Sequence, residues 1–200
     1  MVLSFSGAAF AADSVAELTA LLQSYDTFAA DFDQITVAES GRSAQQTKGH
    51  ISLAKPNLFR WQTIEPAPQE IVSDGRYLWI YDPDLEQVTR KTVNLQNNSA
   101  PAQILNGQVD QLLQEYQLEH PQGSGNDQLF VLTAREAQAS FSIIRLVFHQ
   151  DVLSELMLED TLGQRTTIVF KGARRNPDLA EEVFAFRVPK GVDLIIDGAE

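Results

Sequence analysis

The sequence predicts a mainly β (α+β) protein: a curved, unclosed antiparallel β-barrel with an amphipathic helix at its amino end and a few short helices. Three observations predict it. Short alternating apolar runs recur roughly every ten residues between Gly-, Pro- and Asp-rich turn signals, too closely for βαβ crossovers. Only one long segment has apolar residues at three- and four-residue steps. Finally, the alternation leaves one long apolar face and little helix to cover it. A sheet of roughly nine to eleven strands would curl around so small a plug and leave an apolar interior unfilled.

The elements follow in order. Met1 to Ala12 carry no charged side chain, and Ala9-Phe10-Ala11 has the small-x-small pattern that a signal peptidase cuts after. Residues 1–11 are therefore expected to be the remnant of a secretion signal, and residues 12–200 a single domain working outside the cytoplasm. Ser14-x-x-Glu17 reads as a capping box, and Val15, Leu18, Leu21, Leu22, Tyr25 and Phe28 continue it as one apolar helical stripe. Turn signals then mark the strands: Glu39-Ser40-Gly41, Glu65-Pro66-Ala67-Pro68, Asp74-Gly75, Asp82-Pro83-Asp84, Gly123 to Asp127, and Asp160 to Gly163. Ser99-Ala100-Pro101 opens a short helix through Ile104 and Leu105. Val109, Leu112, Leu113 and Tyr116 continue a second, and Asn176-Pro177 starts a third.

Alternation assigns the faces. Asp74-Gly75 as a two-residue turn pairs Ser73 with Arg76 and Ile71 with Leu78, so Ile71, Leu78 and Ile80 share an aliphatic face. Glu70, Val72, Tyr77, Trp79 and Tyr81 are expected to point outward. Ile51, Leu53 and Lys55 share a face with Phe59 and Trp61 of the next strand, and Ile144, Leu146 and Phe148 form another apolar face opposite Arg145 and His149.

Composition narrows the function. Among 200 residues, 15 Lys+Arg against 27 Asp+Glu give a net charge of −12, which disfavours nucleic acid and anionic lipid headgroups. There is no cysteine, hence no disulfide, thiolate metal site or Cys-linked anchor. No nucleophile elbow, zinc-protease motif or phosphate loop occurs, and His50, His120 and His149 stand alone. Asp31-Phe32-Asp33 and Asp82-Pro83-Asp84 read as a solvated strand edge and a turn, and Asn97-Asn98-Ser99 carries no weight as a glycosylation acceptor. No catalytic residue, metal or cofactor is expected.

Three segments carry a resemblance. They are Lys55-Pro56-Asn57-Leu58-Phe59-Arg60-Trp61; Ile71 to Pro83 running on to Glu86-Gln87-Val88; and Val188-Pro189-Lys190-Gly191-Val192. Together they resemble the LolA family of periplasmic outer-membrane lipoprotein carriers, over residues 13 to 200. The resemblance implies an unclosed barrel with a helical lid over a hydrophobic cavity. It also implies a soluble, monomeric periplasmic chaperone for acylated lipoproteins. Cargo would come from an inner-membrane ABC-type releasing complex (LolCDE-like) and pass to an outer-membrane acceptor lipoprotein (LolB-like), which is itself anchored through a cysteine. Carried over residue by residue, Lys55 takes the place of the basic lid latch, commonly arginine, with the lid at Ala102 to Leu105. Ile104 and Leu105 would form the lid's underside, and Ile51, Leu53, Phe59, Trp61, Ile71, Leu78, Ile80, Ile144, Leu146 and Phe148 the cavity wall. A binding protein for a free lipid or other hydrophobic small molecule, on a similar barrel, is the alternative; a scaffold with a fully packed core is a third reading.

Overall fold

The structure, a computed structural model, describes residues 7–41, 44–93, 100–119 and 123–197, apart from the side chains of residues 7–12 and 102. The first half of the secretion-signal assignment, His120 and Asn97-Asn98-Ser99 lie outside the described residues. Helix α1 spans Gly7–Gln23. Strands β1 (Thr27–Val37), β2 (Ala44–Ala54), β3 (Leu58–Glu65), β4 (Gln69–Asp74), β5 (Tyr77–Asp82) and β6 (Gln87–Thr92) follow. Helices α2 (Ala100–Leu105) and α3 (Val109–Glu115) precede β7 (Tyr116–Glu119), β8 (Asp127–Ala134), β9 (Phe141–His149), β10 (Val152–Asp160) and β11 (Arg165–Arg175). A 3₁₀ turn at Glu181–Phe184 and β12 (Asp193–Asp197) complete the chain.

The strands form one sheet in the order β12-β6-β5-β4-β3-β2-β1-β11-β10-β9-β8-β7. Its two end strands, β12 and β7, are not partners, so the sheet is unclosed, as expected. Its strands outnumber the roughly nine to eleven read from sequence. One pairing departs from the antiparallel pattern: β12 runs parallel to β6, with Leu194 opposite Val88. The chain reaches that edge by a connection too long to be a hairpin, and only such a connection allows parallel neighbours.

The first helix is displaced from its expected limits. It begins seven residues before Ser14, so the capping box lies inside it. The alanines of residues 7–12 have the highest helix propensity of any residue and extend the helix backwards. At the other end Phe28 belongs to β1, and the helix stops at Gln23, where the Ser24 hydroxyl donates to the Leu21 carbonyl at 2.7 Å. The third expected helix is also shorter. Asn176, at φ 53°, accepts the Asp26 amide at 2.7 Å through its side chain, and helical turns start only at Glu181.

The chain forms two compact units, each drawn from separate segments, and β1, β2 and β11 contribute residues to both. In unit 1, α1 packs on α3 and β7, and α2 packs on α3. Leu18, Leu22 and Leu112 of these helices are buried, as are Phe130, Leu132, Ile144, Leu146, Phe148 and Leu156 of the strands. Phe130 and Phe148 meet edge to face at 5.8 Å. In unit 2, Phe28, Phe32, Ile51, Leu53, Val72 and Phe170 are buried, and Phe28 meets Phe170 edge to face at 5.6 Å.

Candidate functional site

The register within unit 2 aligns the expected apolar residues of β2 to β5 in a row that runs on across β6 and β12, six strands in all. Ile51 pairs with Trp61, Trp61 with Ile71, Ile71 with Ile80, Ile80 with Thr89 and Thr89 with Ile195. Directly paired residues share a sheet face, so these six form one row. A second row on the same face runs Leu53, Phe59, Ser73, Leu78, Lys91. Ile51 and Leu53 are buried, but Phe59, Trp61, Ile71, Leu78 and Ile80 keep part of their surface accessible. The ring of Phe32 stacks on Trp61 at 4.0 Å. Gly49 makes room for it: a Cβ there would stand 2.6 Å from the Phe32 ring and 1.9 Å from the Gln62 carbonyl oxygen.

The hairpin holding Ile71 and Ile80 differs from expectation by one turn position. Ser73 pairs with Leu78, not with Arg76, so Gly75-Arg76 are the central turn residues rather than Asp74-Gly75. Gly75 has φ 85°, the conformation glycine adopts most readily at the first central position of a hairpin turn. Asp74 instead stands before the turn, where one carboxylate oxygen accepts the amides of Arg76 and Tyr77 at 2.9 and 2.7 Å and the other accepts Trp79 Nε1 at 2.8 Å. Burial alone raises the Asp74 pKa, but these hydrogen bonds and the Arg76 charge outweigh it and hold the carboxyl below its ordinary value. The shift moves each strand partner by two residues, which preserves the faces.

The opposite face of β4 and β5, expected to point outward, is covered. Val72 is fully buried. Phe186 stacks on Trp79 at 5.3 Å, and the 3₁₀ turn packs on β3 and β4. Arg60 fixes that segment, donating to Glu70 at 2.6 Å and to the Ala185 carbonyl at 2.9 Å. Local alternation carried no signal of this cover, because it is supplied by residues far along the chain.

Lys55 lies at the end of the Ile51–Leu53 face. Its ammonium donates to the Tyr25 carbonyl at 2.7 Å and sits 3.7 Å over the Tyr25 ring. Burial lowers its pKa to about 8 against a partial opposing effect of Asp26. Tyr25 was missed as a site residue because its spacing extends the first helix; its hydroxyl is buried with no hydrogen-bond partner among the described residues.

In unit 1, Ile144 pairs with Leu132 and Leu158, Leu146 with Phe130 and Leu156, and Phe148 with Leu153. Ile144, Leu146 and Phe148 are fully enclosed among these neighbours. Ile104 of α2 is buried as well, while Leu105 is half-buried. The described histidines are exposed and paired with carboxylates, His50 with Asp31 and His149 with Asp127, the latter at 2.6 Å. Asp33 pairs with Lys171, and among the described residues no cluster of acidic and histidine side chains has the makings of a metal site.

An unclosed, mostly antiparallel sheet that keeps a row of aliphatic and aromatic side chains partly accessible defines a class of β-proteins with an apolar face open to ligands. Comparison with known proteins specifies the family. The model of the outer membrane lipoprotein carrier protein LolA family matches residues 23–187. An outer-membrane lipoprotein carrier protein of Azotobacter vinelandii is 37% identical over 182 residues, covering 91% of this chain and 87% of the relative. One from Hahella chejuensis is 38% identical over 185 residues, covering 92% and 88%. The chain therefore belongs to the LolA family. Solved structures agree at the level of fold. An uncharacterized conserved protein from Thermus thermophilus superimposes with a TM-score of 0.58 at 13% identity, covering 93% of this chain and 99% of that one. The Pseudomonas aeruginosa MucA/MucB complex contains a chain matching with a TM-score of 0.53 at 18% identity, covering 88% and 61%.

Proposed function

We propose that this protein is a carrier for acylated lipoproteins bound for the outer membrane, and that its partly accessible apolar face receives the acyl chains. The observation that carries the reading is the aligned row of Trp61, Ile71 and Ile80, with Phe59 and Leu78 beside it, left accessible on a face whose neighbours Ile51 and Leu53 are buried. Family membership supplies the cargo. A buried methylene contributes about 0.8 kcal/mol, so shielding one long acyl chain from water is worth on the order of 10 kcal/mol. A carrier needs that surface, and it also needs its empty form to hide the surface well enough to let cargo go. Ile144, Leu146 and Phe148, fully buried in unit 1, would offer surface to an acyl chain only when their packing yields, so that part of the binding energy is spent on opening.

The proposal extends to the route and the latch. The protein works in the periplasm after a signal is cleaved near Ala12. It accepts cargo from an ABC-type inner-membrane complex and yields it to an acceptor lipoprotein. No described helix is long and apolar enough to cross a membrane. Lys55 takes the latch role with Ile104 and Leu105 on the lid. Lysine lacks the planar donor fork of arginine, so its hold is looser and its loss changes cargo release more than stability.

Native mass spectrometry after co-expression with an acylated lipoprotein tests the reading. A defined complex is expected that disappears when the cargo's acylated cysteine is replaced. Recovery of free lipid alone would contradict the carrier reading.

A further inference from the structure

The carboxy-terminal strand ends the sheet in a form that calls for a partner. β12 pairs with β6 along one edge, and the strand order places no described strand on its other edge. Leu194, Ile195 and Ile196 are 43%, 46% and 51% exposed, three consecutive large aliphatic residues on a strand whose every residue is exposed.

The backbone phase of this edge is fixed. The Asp193 amide donates to the Glu86 carbonyl at 2.9 Å, while Asp193 is paired with Gln87. In a parallel ladder alternate residues bond to the same neighbour, so Asp193, Ile195 and Asp197 direct their backbone groups at β6. Leu194 and Ile196 direct theirs away from it. Natural sheet edges are commonly blunted by lysine, proline or a bulge, and none of these interrupts Asp193 to Asp197. An edge of this kind is a template for β-strand addition.

Charge selects the occupant. Asp193 and Asp197 bound the aliphatic run, and beside Asp193 lies the β5–β6 turn with Asp84, Glu86 and the 68% exposed Leu85. Lys91 pairs with Asp197 at 2.9 Å, leaving the Asp193 end the more acidic. A second copy in antiparallel pairing would oppose Asp193 to Asp197, and a chain of net charge −12 repels its like. Anionic lipid is disfavoured for the same reason.

We infer that the outer edge of β12 is a docking strand for a partner protein, which adds an extended aliphatic segment flanked by lysine or arginine. The inference is independent of cargo binding.

A synthetic peptide of alternating valine and threonine with lysine at both ends serves as the probe, used with the full chain. Hydrogen exchange by NMR is expected to show the Leu194 and Ile196 amides slowed by roughly tenfold or more on its addition. Ile196→Pro removes one outward amide without touching the bonds to β6, and it should abolish binding while circular dichroism stays unchanged. Ile196→Thr should bind as the wild type does, which guards against a general folding defect. Asp193→Lys should weaken binding roughly tenfold. No slowing at saturating peptide, full binding by Ile196→Pro, or equal binding of a peptide ended in glutamate would each overturn the inference. So would a concentration-dependent dimer in sedimentation that occupies these same amides.

Discussion

Lys55 illustrates how a single residue links burial to behaviour. Its amine is held at about pKa 8, whereas the unfolded chain has it near 10.5. Between those values the unfolded state binds more protons, so stability rises with pH across that window. Below pH 8 the charge is present in both states and the burial penalty is fully felt. Urea unfolding at pH 7.5 and pH 10 should show this rise, and Lys55→Met should lack it. Asp74 shows the opposite sign. Its folded pKa lies below the ordinary 3.8, so its contribution is present above that value and lost as pH falls below it. Asp74→Ala should cost about 2 kcal/mol near neutral pH, by removing the turn bonds and the Trp79 partner, measured by denaturant unfolding. The sequence marked Asp74 as a turn residue but not its place in the turn, since aspartate serves equally as a first turn residue and as an acceptor just before one.

Strands and helices carry the contrast between packed and accessible apolar surface. Leu146→Ala, inside the fully enclosed face of β9, should cost about 3 kcal/mol and leave a cavity. Ile71→Ala, on the half-accessible row, should cost about 1 kcal/mol and lower cargo affinity instead. Similar costs for the two by denaturant unfolding would show that the row in unit 2 is ordinary core. In β2, Gly49→Ala forces a Cβ against the Gln62 carbonyl and the Phe32 ring, and should destabilise by about 3 kcal/mol with loss of the Trp61 near-UV signal. Alternation located Ile51, Leu53, Phe59, Trp61, Ile71, Leu78, Ile80, Ile144, Leu146 and Phe148 on their proper faces, because side-chain direction in a strand is a local property. It misread Val72, which is buried, and Trp79, on which Phe186 stacks, and it gave no sign that β12 would pair in parallel. Those outcomes depend on contacts between distant segments, which no local period encodes. The extent of α1 was misjudged for a different reason: the capping signal at Ser14 is weaker than the pull of the alanines before it.

At the scale of the molecule, a chain of net charge −12 with a long apolar face should stay in solution, avoid anionic membranes and bind acyl chains by apolar contact alone. Phe59→Glu places a charge in that face and should abolish transfer with the fold intact. The most direct test of the carrier account uses inner-membrane vesicles bearing a radiolabelled lipoprotein. Addition of this protein should move the label into the soluble fraction in a complex with it, and Phe59→Glu should leave the label in the vesicles. Label that stays with the vesicles in the presence of folded wild-type protein would contradict the account.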